Sequence, residues 1–339
     1  MDAVPNRHPR VDLGFFPTPV HRLTRLGLDA DVWIKRDDQT GLATGGNKVR
    51  KLEYLLADAL ARKATTVVTG GGLQSNFARQ TAAACALLGL SCVLGVRPGY
   101  LDTPDFTDGG NVLLDRLLGA DVRVYPVPTT PAAIDAAAAE LAAQGRAAYP
   151  IPMGGSNALG SLGYVRAVDE LAAQWKGEPP DAIVVPASSC GTAAGLIAGV
   201  AAHGWPTRVW GVCVDEPAAA TRRTIDALLD GLRGLGVDVG ADVAYETPEG
   251  YLGDGYGVPT DGMREAVSLL ARTQGILLDP VYSGKAFAGL LGEARHGGLR
   301  DARRILFWHT GGTPALFAYR GELLVSDAEG PGGPGRVSR

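Results

Sequence analysis

Thr65-Thr-Val-Val-Thr-Gly-Gly-Gly-Leu-Gln-Ser-Asn76, running directly into Phe-Ala-Arg-Gln-Thr-Ala-Ala-Ala-Cys-Ala-Leu-Leu88, sets the architecture of this chain. Thr65 to Thr69 is β-branched and apolar, which predicts a buried strand. The glycines predict a tight turn, and Ser75 to Leu88 predicts a helix. Outward from this unit the alternation repeats. Strands are predicted at Ser91 to Val96 and Asp121 to Tyr125, with helices at Asn111 to Leu118 and Pro131 to Gln144. A second series begins with a helix at Tyr164 to Gln174. It continues through the strand Ala182 to Val185, the helix Thr192 to His203, the strand Val209 to Val214 and the helix Pro217 to Leu232. It closes with the helix Asp261 to Gln274 and the strand Arg304 to Trp308. Pro217 suits a first helical position, where its missing N–H is not needed. Strands regularly separated by helices predict an α/β fold of two lobes, each a mostly parallel sheet flanked by helices. A ligand cleft is expected between the lobes.

A length of 339 residues exceeds what one compact core supports, which also predicts two lobes. With 46% hydrophobic and 20% charged residues and a net charge of −4, the composition is that of a globular protein. No basic run or stripe suits a nucleic acid or an anionic membrane surface. No apolar stretch approaches a bilayer-spanning length, and the opening MDAVPNRHPR lacks the apolar centre of a secretory signal. Cys85, Cys92, Cys190 and Cys213 are scattered, without CxxC or zinc spacing. Reduced thiols in a cytoplasmic protein without a metal site are expected. Residues 327–339, rich in Gly and Pro, are expected to be a disordered tail.

Five segments carry candidate chemistry. In Thr44-Gly-Gly-Asn-Lys-Val-Arg-Lys51, two glycines allow a tight turn and Asn47 is a turn or cap residue. Lys48 then falls in the first turn of a helix, where partial burial would lower its pKa and suit it to imine formation. A solvated lysine beside a turn is the plain alternative. Thr69 to Asn76 places N–H groups at a helix start, a site for a carboxylate, or simply a helix capped by Ser75. Ser188-Ser-Cys-Gly-Thr-Ala-Ala-Gly195, between a strand and a helix, reads as a phosphate cradle or an ordinary turn, and it is neither a Walker A nor a dinucleotide fingerprint. Asp279-Pro-Val-Tyr-Ser-Gly-Lys285 and Gly253-Asp-Gly-Tyr-Gly257 each set a tyrosine in a glycine turn, facing either a cleft or the surface. His309 ends a strand and is read as structural rather than as a base.

Taken together, these segments resemble the D-cysteine desulfhydrase and 1-aminocyclopropane-1-carboxylate (ACC) deaminase family of pyridoxal phosphate enzymes, of the tryptophan-synthase-like fold (fold type II). Phe16-Pro-Thr-Pro19, Ile34-Lys-Arg-Asp-Asp38, GGNKVRKLEYLLADAL, GGLQSNFARQ, Met153-Gly-Gly-Ser-Asn-Ala-Leu-Gly160, SSCGTAAGL, LGDGYGVPT, DPVYSGKAFAGL and HTGGTPALFAY carry the likeness, in register over about residues 14 to 320. The resemblance implies a larger cofactor lobe of residues 1–50 plus 161–326 and a smaller lobe of 51–160. It implies that Lys48 bonds the cofactor and moves the substrate's Cα proton, with Ser75, Tyr256 and Tyr282 also catalytic. Asn76, Cys190, Gly191, Thr192, Ser283 and Thr310 would hold the cofactor, and Gln74, Ser75, Asn76 and Phe77 the substrate. A homodimer is expected on the same ground.

Two positions discriminate within the family. ACC deaminases resemble one another in a glutamate after the second tyrosine, beside the pyridine nitrogen, where this chain has Ser283. A hydroxyl holds a ring proton less well than a carboxylate, so the ring is a weaker electron sink. That favours β-elimination from cysteine or a close analogue, giving pyruvate, ammonium and sulfide, over cyclopropane opening. Phe77 stands where the family has a polar residue, which opens the substrate's β-substituent to a less polar group or leaves it unaffected. Cysteate elimination, β-substitution and a non-catalytic binder of a phosphorylated metabolite are the alternatives.

Overall fold

The computed structural model describes residues 8–240 and 243–323; the tail at 327–339 lies outside these residues. In chain order the strands are β1 Val20–Arg22, β2 Asp31–Arg36, β3 Thr66–Gly72, β4 Ser91–Arg97, β5 Asp121–Val124, β6 Tyr149–Pro150, β7 Ala182–Ala187, β8 Arg208–Cys213, β9 Tyr245–Glu246 and β10 Arg304–His309. The helices are α1 Lys48–Ala61, α2 Asn76–Leu88, α3 Pro104–Thr107, α4 Gly110–Leu117, α5 Thr130–Ala143, α6 Ala158–Gln174, α7 Gly191–Ala202, α8 Ala218–Gly234, α9 Asp261–Gln274, α10 Ser283–His296, α11 Thr313–Ala318 and α12 Arg320–Leu323.

The strands form two sheets, β1-β2-β10-β7-β8-β9 and β5-β4-β3-β6. Every pairing is parallel except β1 with β2. The larger sheet is buried on both faces because its side chains alternate between two cores. Ile183, Val185, Leu306 and Trp308 pack under α6, α7 and α8, whereas Val184, Ile305 and Phe307 pack under α9 and α10. Leu52, Leu55, Phe77, Val67 and Leu94 fill the space between the smaller sheet, α1 and α2. The helices α1, α6 and α7 approach closely through glycine. A Cβ on Gly163 would stand 2.2 Å from the Arg50 carbonyl oxygen, and one on Gly195 2.4 Å from that of Ser161.

A buried ionic network ties α1 to the larger sheet. The Asp37 carboxylate accepts hydrogen bonds from Arg50 Nε (2.8 Å) and Nη2 (2.8 Å), Thr18 Oγ1 (2.9 Å), Tyr164 OH (2.6 Å) and Trp308 Nε1 (2.8 Å). Arg50 also grips Glu170, which pairs with Lys35 on β2 at 2.5 Å. Burial alone would raise the Asp37 carboxyl, but the Arg50 guanidinium outweighs it and holds the group at about 2.

The elements differ from the sequence reading at several places. β3 runs on through the glycines to Gly72, and α6 begins at Ala158 rather than Tyr164. Glycines at 160 and 163 suppress the helical pattern, although Asn157 caps that start by accepting from the Gly160 N–H at 2.8 Å. Pro217 occupies the cap position before α8 and not its first turn, with ψ of 156°. The strands β1 and β2 and the helices α10, α11 and α12 were not expected from the pattern.

Candidate active site

The two sheets point the carboxyl ends of β3, β4, β7 and β10 at one cavity of about 740 Å³. Open α/β sheets place ligands at these ends. Lys48, Gln74, Ser75, Asn76, Phe77, Cys190, Thr192, Tyr256, Tyr282 and Thr310 all line it. Gly191 and Ser283 do not.

Lys48 is the first residue of α1. The turn before it requires glycine: Gly45 has φ of 73°, and a Cβ there would stand 2.2 Å from the Asp38 carbonyl oxygen. Asn47 does not cap α1 with its side chain. Its amide instead donates to Thr192 Oγ1 at 3.0 Å, which joins the lysine turn to the start of α7 and leaves the threonine hydroxyl proton for the cavity. No hydrogen-bond or ionic partner for the Lys48 amine occurs among the described residues. Burial lowers its pKa to about 8, with Cys190 pulling weakly the other way. At neutral pH a useful fraction of the amine is therefore unprotonated and nucleophilic.

One turn further along α1, Lys51 is fully buried. Its ammonium donates to Ser156 Oγ (2.9 Å) and the Gly154 carbonyl (3.2 Å), and Ser156 Oγ in turn contacts Ser189 Oγ at 2.8 Å and accepts from the Gly191 N–H at 3.2 Å. A Cβ on Gly191 would lie 2.8 Å from the Lys51 Nζ. The amine therefore stands at the first turn of α7, where helix N–H groups already favour an anion. Burial, and then the charge of Lys48, hold Lys51 well below an ordinary lysine. Lys51 does not itself line the cavity but stands directly behind the α7 start, and no carboxylate is paired to it or to Lys48 among the described residues. Such a place is completed by a small dianion, and a phosphate fits it. Cys190 contributes backbone: φ of 62° turns the chain into α7, while its thiol points to the Ser188 carbonyl and is pushed up to about 12 by burial.

The α2 start is built differently from its simplest reading. Ser75 Oγ caps the helix, accepting from the Ala78 N–H at 3.2 Å. The Gln74 side chain is tied to the smaller lobe, donating to the Phe106 (2.6 Å) and Gly109 (3.1 Å) carbonyls and accepting from the Asn111 N–H (2.8 Å). Its amide thus secures the loop, and only its backbone is available to a ligand. Asn76 Oδ1 accepts from Arg79 Nη1 (2.9 Å) and Asn111 Nδ2 (3.0 Å), so its NH2 group is the one left to face the cavity. Phe77 is only 2% exposed and packs against Leu55 and Gly155, with its edge reaching the cavity wall.

On the opposite wall, the Tyr256 and Tyr282 hydroxyls hydrogen-bond to each other, with ring centroids 5.9 Å apart. Burial raises the Tyr282 phenol above its usual pKa, and the Tyr256 phenol, on a residue 40% exposed, is not lowered, so both are neutral donors at pH 7. Ser283 sits behind this wall. Its Oγ donates to Asp279 Oδ1 at 2.6 Å and accepts from the Asp279 N–H at 2.8 Å. Asp279 also accepts from the N–H groups of Val281, Tyr282 and Ser283, so its carboxylate is taken up by the turn that leads into α10. His309 is fully buried between the Leu277 carbonyl and the Gly311 N–H and is structural.

Sequence reasoning missed Lys51, Arg79, Asn111 and Asp279. The signal for Lys51 and Arg79 was a charge on a helix face that is otherwise wholly buried, at residues 49–57 and 76–85. Among the described residues, no group of acidic, His and Cys side chains is arranged to hold a metal, and no helix is long and apolar enough to cross a membrane.

Comparison with known proteins agrees with this construction. The D-cysteine desulfhydrase of Klebsiella pneumoniae (strain 342) is 44% identical over 323 residues, covering 94% of this chain and 98% of its own. That of Salmonella newport (strain SL254) is 43% identical over 320 residues, covering 92% and 97%. A crystal structure of an ACC deaminase homologue superposes with a TM-score of 0.86 at 40% identity, over 94% of this chain and 96% of that one. A fungal L-serine ammonia-lyase from Rhizomucor miehei shares the fold at TM-score 0.68 and 18% identity, over 90% and 96%. The family model for pyridoxal-phosphate dependent enzymes matches residues 11–311, and with these relatives it establishes that the chain belongs to the pyridoxal-phosphate dependent enzymes.

Proposed function

We propose that this enzyme eliminates hydrosulfide from D-cysteine, releasing pyruvate and ammonium. The observation that carries the reading is the unpartnered Lys48 amine, lowered to about 8, in a cavity whose other wall presents two neutral phenols. Bound pyridoxal phosphate supplies an electron sink at the substrate's Cα. Lys48, whose amine has no partner among the described residues, would be the residue that holds the cofactor aldehyde and the base within reach of the substrate's Cα proton. Ser189 and Thr192 at the α7 start, with Lys51 behind them, would hold the phosphate, and the Asn76 NH2 group and Thr310 would be left for the rest of the cofactor. The N–H groups of Asn76 and Phe77 find no acceptor among the described residues and receive the substrate carboxylate. Of the two phenols, one donates within the pair and the other donates to the departing sulfur. The Cβ–S bond breaks with its electron pair on sulfur, and water completes the conversion of the three-carbon fragment to pyruvate and ammonium.

Elimination is favoured over ring opening by the position of Ser283. Its proton is committed to Asp279, and that carboxylate is saturated by its own turn, so no acid behind this wall is free to protonate a ring nitrogen. The four thiols, all unpaired, support a cytoplasmic setting, and Leu113, Leu117 and Phe317, exposed on α4 and α11, support a homodimer. The test is a panel of D-cysteine, L-cysteine, cysteate and ACC with purified protein. Pyruvate and sulfide from D-cysteine are expected, and Lys48→Ala is expected to abolish both turnover and the visible absorption of bound cofactor. Ketobutyrate from ACC with no turnover of D-cysteine would reverse the assignment in favour of deamination.

A further inference from the structure

Lys285 lies outside the cavity and is assigned no part in the reaction above, yet it is fully buried, with no carboxylate in ion-pair contact among the described residues. Its ammonium donates to the Leu252 carbonyl at 2.6 Å and the Gly255 carbonyl at 3.1 Å. These carbonyls belong to the loop that carries Tyr256. Gly253, Gly255 and Gly257 in that loop have φ of 70°, 154° and 78°, so it is ordered against a large loss of backbone freedom. Lys285 also sits in the first turn of α10, three residues after Tyr282, the residue at that helix's cap. One side chain therefore spans the two segments whose tyrosines meet.

We propose that Lys285 is a positioning residue, which holds the 252–257 loop so that the Tyr256 hydroxyl meets that of Tyr282. It acts through Tyr256 and touches neither substrate nor cofactor. A buried ammonium is expensive unless its hydrogens are taken up, and here loop carbonyls take two of the three. An uncharged side chain of equal length would leave those carbonyls unpaired and release the loop. The inference rests on the elimination reading for its kinetic consequence, but not for its structural one.

The experiment is a double-mutant cycle of Lys285→Met with Tyr256→Phe in the cofactor-loaded enzyme, together with amide hydrogen exchange of the cofactor-free and loaded forms. Lys285→Met alone is expected to lower kcat by on the order of 10- to 100-fold, the scale of a misplaced group, with KM for D-cysteine and the cofactor absorption nearly unchanged. In the Tyr256→Phe background the same substitution is expected to cost less than about threefold, because its target is gone. Amides of 252–257 are expected to exchange on the order of tenfold faster, while those of 191–202 do not change. Losses that multiply fully across the cycle, or an unaltered exchange rate in the loop, overturn the proposal. If the methionine variant does not fold, Lys285→Gln, whose amide still donates to one carbonyl, enters the same cycle with a smaller expected loss and the same overturning results. Absence of D-cysteine turnover by the unaltered enzyme counts against the elimination reading alone, since the exchange measurement still decides the role of Lys285.

Discussion

Replacing Asp37 by Asn tests the network that anchors the lysine-bearing helix. The Asp37 carboxylate accepts five hydrogen bonds, two of them from Arg50, which lies two residues past Lys48 on α1. Its fall from 3.8 to about 2 corresponds to roughly 2 kcal/mol of native-state stabilisation at 1.36 kcal/mol per tenfold. Asn adds a second cost, because its NH2 group meets donors and the Arg50 charge loses its closest counter-charge; breaking a buried pair of this kind costs about 3–5 kcal/mol. A loss of about 2–5 kcal/mol at pH 7 is therefore expected in urea unfolding, read as a lower midpoint with an unchanged slope. The pH dependence follows from the sign. A depressed carboxyl contributes its stability above the unfolded value of 3.8 and loses it as pH falls towards 2. The unaltered protein should thus lose this increment between about pH 4 and 2, and the Asn variant should lack that part of the acid sensitivity. A midpoint within about 0.5 kcal/mol of the unaltered protein at pH 7 would refute the claim that this network anchors α1.

Two further outcomes follow from the amines. In cofactor-free protein, the rate of pyridoxal phosphate capture should rise about tenfold per pH unit below the Lys48 value of about 8 and level off above it, as followed by stopped-flow absorbance. On the proposed reading, in which Lys51 supports the phosphate and not the reacting carbon, Lys51→Met should weaken cofactor binding by on the order of 100-fold in an equilibrium titration, yet leave kcat within about tenfold at saturation.

The alternation of strand and helix was legible wherever each element's own pattern was simple. β3, β4, β7, β8 and β10 are apolar runs, and α9 spans Asp261–Gln274, as the sequence predicts. The strand β2 was not predicted, because its apolar run is only Val32-Trp-Ile34, flanked by charges on both sides. Lys35 there is fully buried, and what permits it is Glu170, far away in sequence on α6. Tertiary pairing overrode local pattern. The same cause hid the roles of Gln74 and Ser283. Both stand in segments that resemble the family, but a sequence does not show that the Gln74 amide is taken by residues 106–111 or that the Ser283 hydroxyl is taken by Asp279. Phe77 shows the limit from the other side. A large apolar residue beside a carboxylate loop reads as a change of pocket, whereas the ring packs mainly into the core against Leu55 and Gly155.

The buried lysines, taken with Arg50, divide into two kinds by whether a carboxylate is in contact. Lys35 and Arg50 each have a carboxylate in contact, and that network is complete without any ligand. Lys48, Lys51 and Lys285 have none among the described residues, and burial lowers all three. Their surroundings differ: Lys285 has two loop carbonyls, Lys51 a serine hydroxyl and a carbonyl, and Lys48 no acceptor among the described residues. A buried cation without a counter-charge is a standing cost that folding alone does not remove. On the proposed reading, a phosphate would remove it for Lys51 and bonding to the cofactor would remove it for Lys48. Cofactor binding should therefore stabilise the fold more than its contact area alone implies. On the proposed reading, the same cost would favour a ligand that brings both a dianion, for the α7 start, and an aldehyde, for the first turn of α1.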